Sequence, residues 1–430
     1  MASQPSWTQD EKSYGVRSEV VIPGRGEPVS DGAIVVEDGK IQWVGEYSKL
    51  PDKFSAVSFT KLPGAIMPGM WDVHTHFMGA HVVSGLNEGL RSFLPGTETM
   101  VGAATVDDLR ATLMAGFTSV RELGGYAGYL QPIVDKGFIV GPTVYSALAV
   151  LSITGGHGDQ HDAPLNTVLE ACHHGVSAFA ICDGVDDCIR TVRKTIRAGA
   201  KVIKVCSTGG VLSINDQPED SQFSDAELEA IVQEAARSGR VVASHAIGKN
   251  GILAALRAGV KSIEHGMYLD KEVADLIKEK NAILVPTRHI VESLAADPSE
   301  LPPSQYKKLM RMLELSRESY KFAVKEGVRI ALGTDTLSSD RKNRLAHGKN
   351  AMELHWMVVA GLTPLQAIEA ATATPPETLG PQGPKAGQLK AGFDADFIAV
   401  ASNPLDDIDV LTEPDNITHV WKGGKIYKSS

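Results

Sequence analysis

The pattern of hydrophobic and polar positions changes twice along the chain. Near each end, short stretches alternate between apolar and polar residues around polar turns: VVIPGRGEPVSDGAIVVEDGKIQWVGEY at the start, and GQLKAGFDADFIAVASNPL with ITHVWKGGKIYK at the finish. A period of two predicts antiparallel strands. The DGK turn near Asp38 and the KGGK turn near Gly423 each follow such a strand. We therefore expect both termini to build one small β-sandwich domain.

Between these ends, short apolar runs alternate with amphipathic segments of helical period. The runs are AGFTSVREL, AGAKVIKVCSTGG, RVVASHAIG, VKSIEHGM, AILVPTRHI and VRIALGTDT. A glycine stands one or two residues before several predicted strands, where a left-handed helix C-cap belongs: Gly116, Gly199, Gly259 and Gly327. Such alternation is typical of βα units around a parallel sheet. Its regularity predicts an α/β fold of the (β/α)8 TIM-barrel type.

These patterns divide the chain into three segments. Residues 1–66 form the N-terminal part of the β domain, residues 67–386 the catalytic barrel, and residues 387–430 the C-terminal part of the β domain. A length of 430 residues agrees with one large domain and a smaller one. The polar stretch 338–350 and the Pro-rich stretch 297–304 are predicted as long surface loops.

Composition and charge exclude several classes of protein. With 43% hydrophobic and 22% charged residues the chain has the composition of an ordinary globular enzyme, and no apolar run approaches the roughly 20 residues of a membrane span. A formal net charge of -10 and the lack of a basic stripe disfavour nucleic acid. The 4 cysteines show no CxxC spacing, so we expect reduced thiols. The polar N-terminus predicts a cytoplasmic chain, or a secreted one whose signal has been removed.

Candidate metal ligands stand at the ends of the predicted barrel strands. His74 and His76, in PGMWDVHTHF, lie two residues apart, so strand geometry places both imidazoles on one face. Four later runs each end in a further polar residue: Lys204, His245, His265 and Asp335. The carboxyl ends of barrel strands carry the active site in this fold. Neutral imidazoles and a carboxylate suit zinc or a similar ion.

A lysine among metal ligands requires a chemical change, because a protonated ammonium would repel the ions. A neutral Lys204 can add carbon dioxide to give a carbamate, whose two oxygens would bridge two metals. The alternative is a surface lysine whose stem packs on apolar neighbours.

The set of HxH, Lys204 in KVIKV, His245 in SH, His265 in EHG and Asp335 in GTD resembles the amidohydrolase superfamily, in the subgroup with a carboxylated lysine between two metals. The segments SITGGHGD, FSDAELEAIVQEAAR and ITHVWKGGK resemble its fungal ochratoxinase-like and dipeptidase-like members. This resemblance implies two divalent ions, with zinc expected, and a homo-oligomer of up to eight chains. It implies the following ligand roles: His74, His76 and Asp335 on one metal, His245 and His265 on the other, and Lys204 bridging.

The same resemblance implies hydrolysis of a small-molecule amide by a water activated between the metals. Asp335 is the candidate general base, which would pass the proton of the water to the leaving amine. His157 in GGHGD and His289 on the predicted seventh strand are candidates to hold the carbonyl oxygen or a substrate carboxylate. Arg288 is a candidate carboxylate fork. Asp216 and Glu219 are interpreted as residues of a solvated loop.

Several functions remain open at this point. The first is hydrolysis of an N-acyl aromatic amino acid of the ochratoxin A type, releasing phenylalanine; the second is an Xaa-Pro or other dipeptidase. A mononuclear deaminase or imidazolonepropionase-type hydrolase lacks the bridging lysine. A non-catalytic scaffold is disfavoured because all six candidate ligands are present. The charged segment SSDRKNRLAHGKNAMEL after Asp335 is expected to border the pocket.

Overall fold

The computed structural model describes residues 13–82, 96–175, 177–297, 299 and 301–429. The strands in these ranges are β1 (Ser13–Val21), β2 (Val29–Glu37), β3 (Lys40–Glu46), β4 (Phe59–Lys61), β5 (Ala65–Pro68), β6 (Met70–Ala80), β7 (Phe117–Glu122), β8 (Thr143–Ser146), β9 (Val150–Ser152), β10 (Phe179–Ile181), β11 (Ile203–Cys206), β12 (Val242–Ala246), β13 (Ser262–His265), β14 (Ile283–Val285), β15 (Thr336–Ser338), β16 (Phe397–Val400), β17 (Ile417–Lys422) and β18 (Lys425–Ser429). The helices are α1 (Thr97–Met114), α2 (Ala127–Asp135), α3 (Leu165–His174), α4 (Val185–Ala198), α5 (Asp225–Arg237), α6 (Lys249–Ala258), α7 (Lys271–Glu279), α8 (Arg288–Ala295), α9 (Pro303–Lys325), α10 (Met352–Val359) and α11 (Pro364–Ala371).

Strands from both ends of the chain form one mixed sheet, in the order β18-β17-β16-β5-β1-β2-β3, with β4 beside β1. The predicted turns close its hairpins: Asp38 and Gly39 join β2 to β3, and Gly423 and Gly424 join β17 to β18, all with positive φ. Positive φ at both central residues suits the twist of a tight hairpin. Both termini therefore share a sheet, as predicted. Its division into two sandwich layers and the boundaries at 66/67 and 386/387 stay predictions.

Two parallel sheets lie between these ends. One has the order β10-β9-β11-β12-β13-β14 and the other β15-β6-β7-β8. Residues next to the strands link the two sheets at both sides. Lys201 N, just before β11, donates to Ser146 O of β8 at 2.8 Å. The segment 330–332 lies between β14 and β6, where Ala331 N donates to Leu284 O at 3.0 Å and Val73 N donates to Leu332 O at 2.9 Å. The α/β class with parallel sheets is thus confirmed. The inter-sheet bonds support a closed (β/α)8 barrel, which stays a prediction.

The predicted last strand, VRIALGTDT, differs from the structure. Before Asp335 only Ile330 forms a ladder bridge, and β15 begins at Thr336, the last residue of the run. Asp335 itself has φ 61°, and its N–H donates to His74 O at 2.7 Å. The bend therefore brings Asp335 beside β6 without a place in the ladder. The predicted caps are confirmed at Gly199 and Gly259, which end α4 and α6 with φ of 115° and 98°.

The main hydrophobic core lies between the parallel strands and the helices that follow them. Buried residues of the helices, such as Val192, Ile231 and Ile277, belong to one cluster with strand residues such as Ile203 and Ile263. All 4 cysteines are free, as predicted. Within the described ranges, no helix combines the length and the apolar content needed to cross a membrane.

Candidate metal centre and active site

The six predicted ligands converge at the carboxyl ends of the parallel strands. Asp335 Oδ1 lies 3.6 Å from His74 Nε2 and 3.1 Å from His76 Nε2. Lys204 Nζ lies 3.4 Å from His74 Nε2. The rings of His245 and His265 are 4.5 Å apart, and His265 lies 5.1 Å from His74. Side chains that β6, β11, β12, β13 and the bend before β15 contribute therefore form one buried cluster.

Hydrogen bonds at the outer side of the cluster determine which nitrogen of each ring faces inward. His74 Nδ1 donates to Glu264 Oε2 at 2.9 Å, and His76 Nδ1 donates to Gly124 O at 2.8 Å. Because a carbonyl or carboxylate oxygen only accepts, each Nδ1 carries the proton. The lone pair is then on Nε2, which is the nitrogen that faces Asp335.

The two histidines of the neighbouring strands use opposite nitrogens. His245 Nε2 donates to Gly209 O at 3.0 Å, which leaves the lone pair on Nδ1. His265 Nδ1 contacts Thr287 Oγ1 at 2.7 Å, so Nε2 is turned inward. One donor atom each of His74, His265 and Asp335 lies within 4.8 Å of the others. A fixed tautomer with its partner in the outer layer is the usual arrangement of a metal-binding histidine, so these residues fit a divalent metal.

Burial sets the charge of the cluster. It lowers the pKa of His74, His245 and His265 well below the usual value, so these rings are neutral at pH 7. Burial also lowers the pKa of Lys204. Burial acts to raise the pKa of Asp335, but the interactions with His74, His76 and Lys204 outweigh it and hold that pKa below its usual range. Neutral imidazoles and an ionised carboxylate are the protonation states that bind a cation.

The cluster opens into a cavity with mostly apolar walls. The apolar lining residues are Met78, Val150, Phe179, Leu212, Ile214 and Leu337. Polar side chains enter from the loop 157–162, including His157 and Gln160. Gln160 is 8% exposed, and neither its Nε2 nor its Oε1 has a hydrogen-bond partner. No arginine is among the described residues that line this cavity.

Comparison with known proteins gives the family. A sequence model of the Amidohydrolase family matches residues 65–427, which is most of the chain. The chain belongs to the amidohydrolase family. It is accordingly a hydrolase, and metal dependence is typical of its family.

Two relatives bear on the substrate of this amidohydrolase. Ochratoxinase of Aspergillus niger is 42% identical over 436 residues, covering 98% of this chain and 88% of the relative. The crystal structure of A. niger ochratoxinase matches with a TM-score of 0.90, covering 97% of this chain and 96% of that one. A Xaa-Pro dipeptidase with bound methionine is 27% identical, with a TM-score of 0.84 over 97% of this chain and 100% of that one.

An outer layer of buried residues supports the amidohydrolase centre, and sequence reasoning missed it. Glu264 accepts from Arg121 Nη2 at 2.8 Å and from Ser262 Oγ at 2.5 Å, besides His74. Glu264 and Arg121 are both fully buried. A carboxylate in the middle of the apolar run KSIEHGM is the sequence signal that would have indicated it. The Glu264 carboxylate holds His74 in the orientation and tautomer that a metal requires.

Two predicted substrate contacts of the amidohydrolase lie elsewhere. Arg288 and His289 are not among the lining residues of the cavity. Arg288 pairs with Glu292 at 3.0 Å, and His289 Nε2 donates to Arg344 O at 3.1 Å. The predicted seventh strand ends at Val285, since a proline follows and Thr287 has φ 49°, and both residues belong to α8 instead. The structure therefore does not place the predicted carboxylate fork and carbonyl contact at this cavity, and both roles stay predictions.

The structure bears on three further predictions. His157 does line the cavity, where it stacks on His245 with ring centroids 4.2 Å apart, and burial lowers its pKa to about 4. Asp216 was expected in a solvated loop but is 4% exposed, whereas Glu219 is half-exposed and binds Arg311 at 2.8 Å. The charged segment 338–354, which was expected to border the pocket, is absent from the described lining, whose last residue along the chain is Leu337.

Proposed function

We propose that this amidohydrolase cleaves the amide bond of an N-acyl aromatic amino acid of the ochratoxin A type and releases phenylalanine. The observation that carries the proposal is the position of the ligand cluster at the base of a cavity whose walls include Phe179 and Ile214. An aromatic side chain gains most from such walls, through apolar burial and ring contacts. The 42% identity to ochratoxinase supports the same substrate class.

The residues fit two divalent ions, for which zinc is the proposed metal. His74, His76 and Asp335 would hold one ion and His245 and His265 the other, and carboxylated Lys204 would be a ligand of both. Burial favours the neutral amine of Lys204, which is the form that bonds to the carbon of carbon dioxide and loses a proton. When bound, the ions lower the pKa of a water and polarise the scissile carbonyl.

The protein's own side chains supply proton transfer and binding. Asp335, held 3.1 Å from His76 Nε2, is the proposed base that takes a proton from the attacking water and delivers it to the leaving amine. Phe179 and the apolar wall hold the aromatic group and exclude water. His157 lies on the same cavity and contacts the substrate near the reacting amide.

A second candidate is an Xaa-Pro dipeptidase. It is favoured by the structural likeness to a prolidase complexed with N-methylphosphonate-L-proline, which is 29% identical with a TM-score of 0.86 over 97% of this chain and 100% of that one. Both candidates use the same cluster and differ in the group that fills the cavity. Assembly as a homo-oligomer stays a prediction, which light scattering would test.

The experiment that tests the proposal measures phenylalanine release from ochratoxin A by zinc- and bicarbonate-loaded protein, beside N-acyl amino acids and Xaa-Pro dipeptides. A kcat/KM for ochratoxin A above that for every dipeptide supports the first candidate. Turnover of dipeptides alone replaces it with the second. Absence of any turnover in protein that contains two zinc ions per chain contradicts both.

A further inference from the structure

A buried chain of hydrogen bonds leads from the cavity to a carboxylate in the loop 209–222. Ser213 Oγ lies 2.8 Å from His157 Nδ1 and makes a short hydrogen bond to Asp216 Oδ1. Ser213 is 8% exposed and Asp216 is 4% exposed. The chemistry proposed above assigns a task to neither residue, although both lie next to the active-site ring of His157.

The carboxylate of Asp216 is held on both of its oxygens. Oδ2 accepts from Gly210 N at 3.2 Å and from Gln222 Nε2 at 3.1 Å. Lys308 Nζ lies 3.5 Å from Oδ1 and donates to the backbone carbonyls of Gly210, Ser213 and Asp216. The ammonium balances the buried negative charge, and the fixed donors leave Oδ1 for the serine hydroxyl. Asp216 therefore has one orientation.

The hydrogen bonds from His157 through Ser213 to Asp216 run in one direction, from donor to acceptor. A serine hydroxyl carries one proton, and that proton is donated to Asp216, because an ionised carboxylate can only accept. Ser213 Oγ must then accept from His157, so Nδ1 of His157 carries the ring proton. Nε2 keeps the lone pair, and no described residue forms a hydrogen bond with it. His157 thus presents an acceptor nitrogen to the cavity.

Packing prevents the His157 ring from flipping, which would exchange the positions of Nδ1 and Nε2. One face stacks on His245 with centroids 4.2 Å apart. On another side the ring lies so close to Gly210 that a Cβ there would be 2.1 Å from His157 Cε1. Gln222 Oε1 accepts from His157 N at 3.0 Å, and the same glutamine donates to Asp216. The imidazole, its backbone and the carboxylate are therefore one assembly.

We propose that Asp216, acting through Ser213, is a positioning residue that holds His157 in the tautomer whose Nε2 accepts a hydrogen bond from the N–H of the substrate amide. The part that concerns the substrate rests on the proposed function. The part that concerns the tautomer rests on this chain alone and is measured without substrate.

Asp216→Asn tests the direction of these hydrogen bonds. The donors Gly210 N and Gln222 Nε2 require an acceptor at the Oδ2 position, so the amide oxygen of asparagine belongs there and its NH2 faces Ser213. The serine then donates to His157 Nδ1, and the proton of the ring moves to Nε2. Selective 15N-histidine NMR, with the His157 signals identified by their loss in His157→Asn, is expected to show this change of tautomer.

Kinetics test whether the tautomer matters to turnover. In Asp216→Asn, kcat is expected to fall by roughly 100-fold, with KM within about threefold, because a misplaced group costs about that much. In Ser213→Ala, kcat is expected to fall by the same factor, and in the Ser213→Ala, Asp216→Asn double variant it is expected to fall no further. Ser213→Thr keeps the hydroxyl and is expected to keep the activity. Glu219→Gln, the half-exposed carboxylate of the same loop, is the matched control and keeps the rate. Zinc content is expected to stay unchanged throughout.

Two outcomes overturn the proposal. One is an unchanged His157 tautomer in Asp216→Asn; the other is additive loss of kcat in the Ser213→Ala, Asp216→Asn double variant. If the wild type cleaves neither N-acyl amino acids nor dipeptides, the proposed function fails, and the NMR result still decides the role of Asp216 and Ser213.

Discussion

Replacing Glu264 by glutamine tests how much the outer layer contributes to the centre. Glu264 accepts from Arg121 Nη2 at 2.8 Å and from His74 Nδ1 at 2.9 Å, and both carboxylate and guanidinium are fully buried. Glutamine keeps the shape of the side chain and one acceptor oxygen but removes the negative charge. Arg121 then remains buried without its direct ionic partner.

The size of the effect follows from these contacts. Loss of one member of a buried ion pair costs about 3 to 5 kcal/mol. Arg121 retains an attraction to Asp72 and a hydrogen bond to Ser262, so we expect the lower end, about 3 kcal/mol. Loss of the partner that orients His74 is expected to weaken zinc binding by about 10- to 100-fold.

The assay separates the two effects. Urea unfolding of metal-free protein measures the stability of Glu264→Gln, and competition with a chromophoric chelator measures zinc affinity. Glu318→Gln, which removes the carboxylate of the exposed pair with Lys321, is the control and is expected to leave both quantities unchanged. If Glu264→Gln unfolds at the same urea concentration as the control and binds zinc as tightly, the reasoning about the outer layer is refuted.

Three further predictions concern other parts of the molecule. Lys204→Ala is expected to bind one zinc ion instead of two and to lose turnover, as measured by metal analysis and amide hydrolysis; two ions with normal turnover would contradict the carbamate. Phe179→Ala, which removes an aromatic wall, is expected to lower kcat/KM for aromatic conjugates at least tenfold more than for N-acetylalanine, and equal losses would argue against the aromatic subsite. Burial raises the pKa of Asp396 from 3.8 to about 6, so the stability it contributes is present below about pH 4 and lost as pH rises through 6. Between pH 4 and 7 this carboxyl group lowers the free energy of unfolding by about 3 kcal/mol. Asp396→Asn is expected to abolish that decrease, so its urea midpoint should change less with pH than that of the wild type.

The ligand cluster was predictable because its signal is local. His245 and His265 each end an apolar run, and those runs are β12 and β13 in the structure. A parallel sheet brings such strand ends together whatever the loops do. Asp335 was found for the same reason, although its run forms a bend rather than a ladder. The hairpins at Asp38 and Gly423 were equally local, because turn chemistry determines them.

The remaining parts of the site depend on contacts that the local sequence does not contain. Arg288 and His289 follow an apolar run, but the backbone at Thr287 turns them into a helix and away from the cavity. Asp216 lies in a polar loop whose burial depends on Lys308 of α9, about 90 residues later. Which nitrogen of His245 faces inward depends on the carbonyl of Gly209. These are tertiary contacts, which override local composition.

The terminal sheet has a consequence for synthesis of the chain. Ala65 of β5 pairs with Val400 of β16, about 330 residues later. At about 5 to 20 residues per second, a ribosome needs roughly 20 to 70 s to bring the second strand out after the first. During that time one edge of β5 has free N–H and C=O groups, and an unpaired edge is a template for pairing with another chain. The yield of native protein in a cell thus depends on how long nascent chains are kept apart from one another.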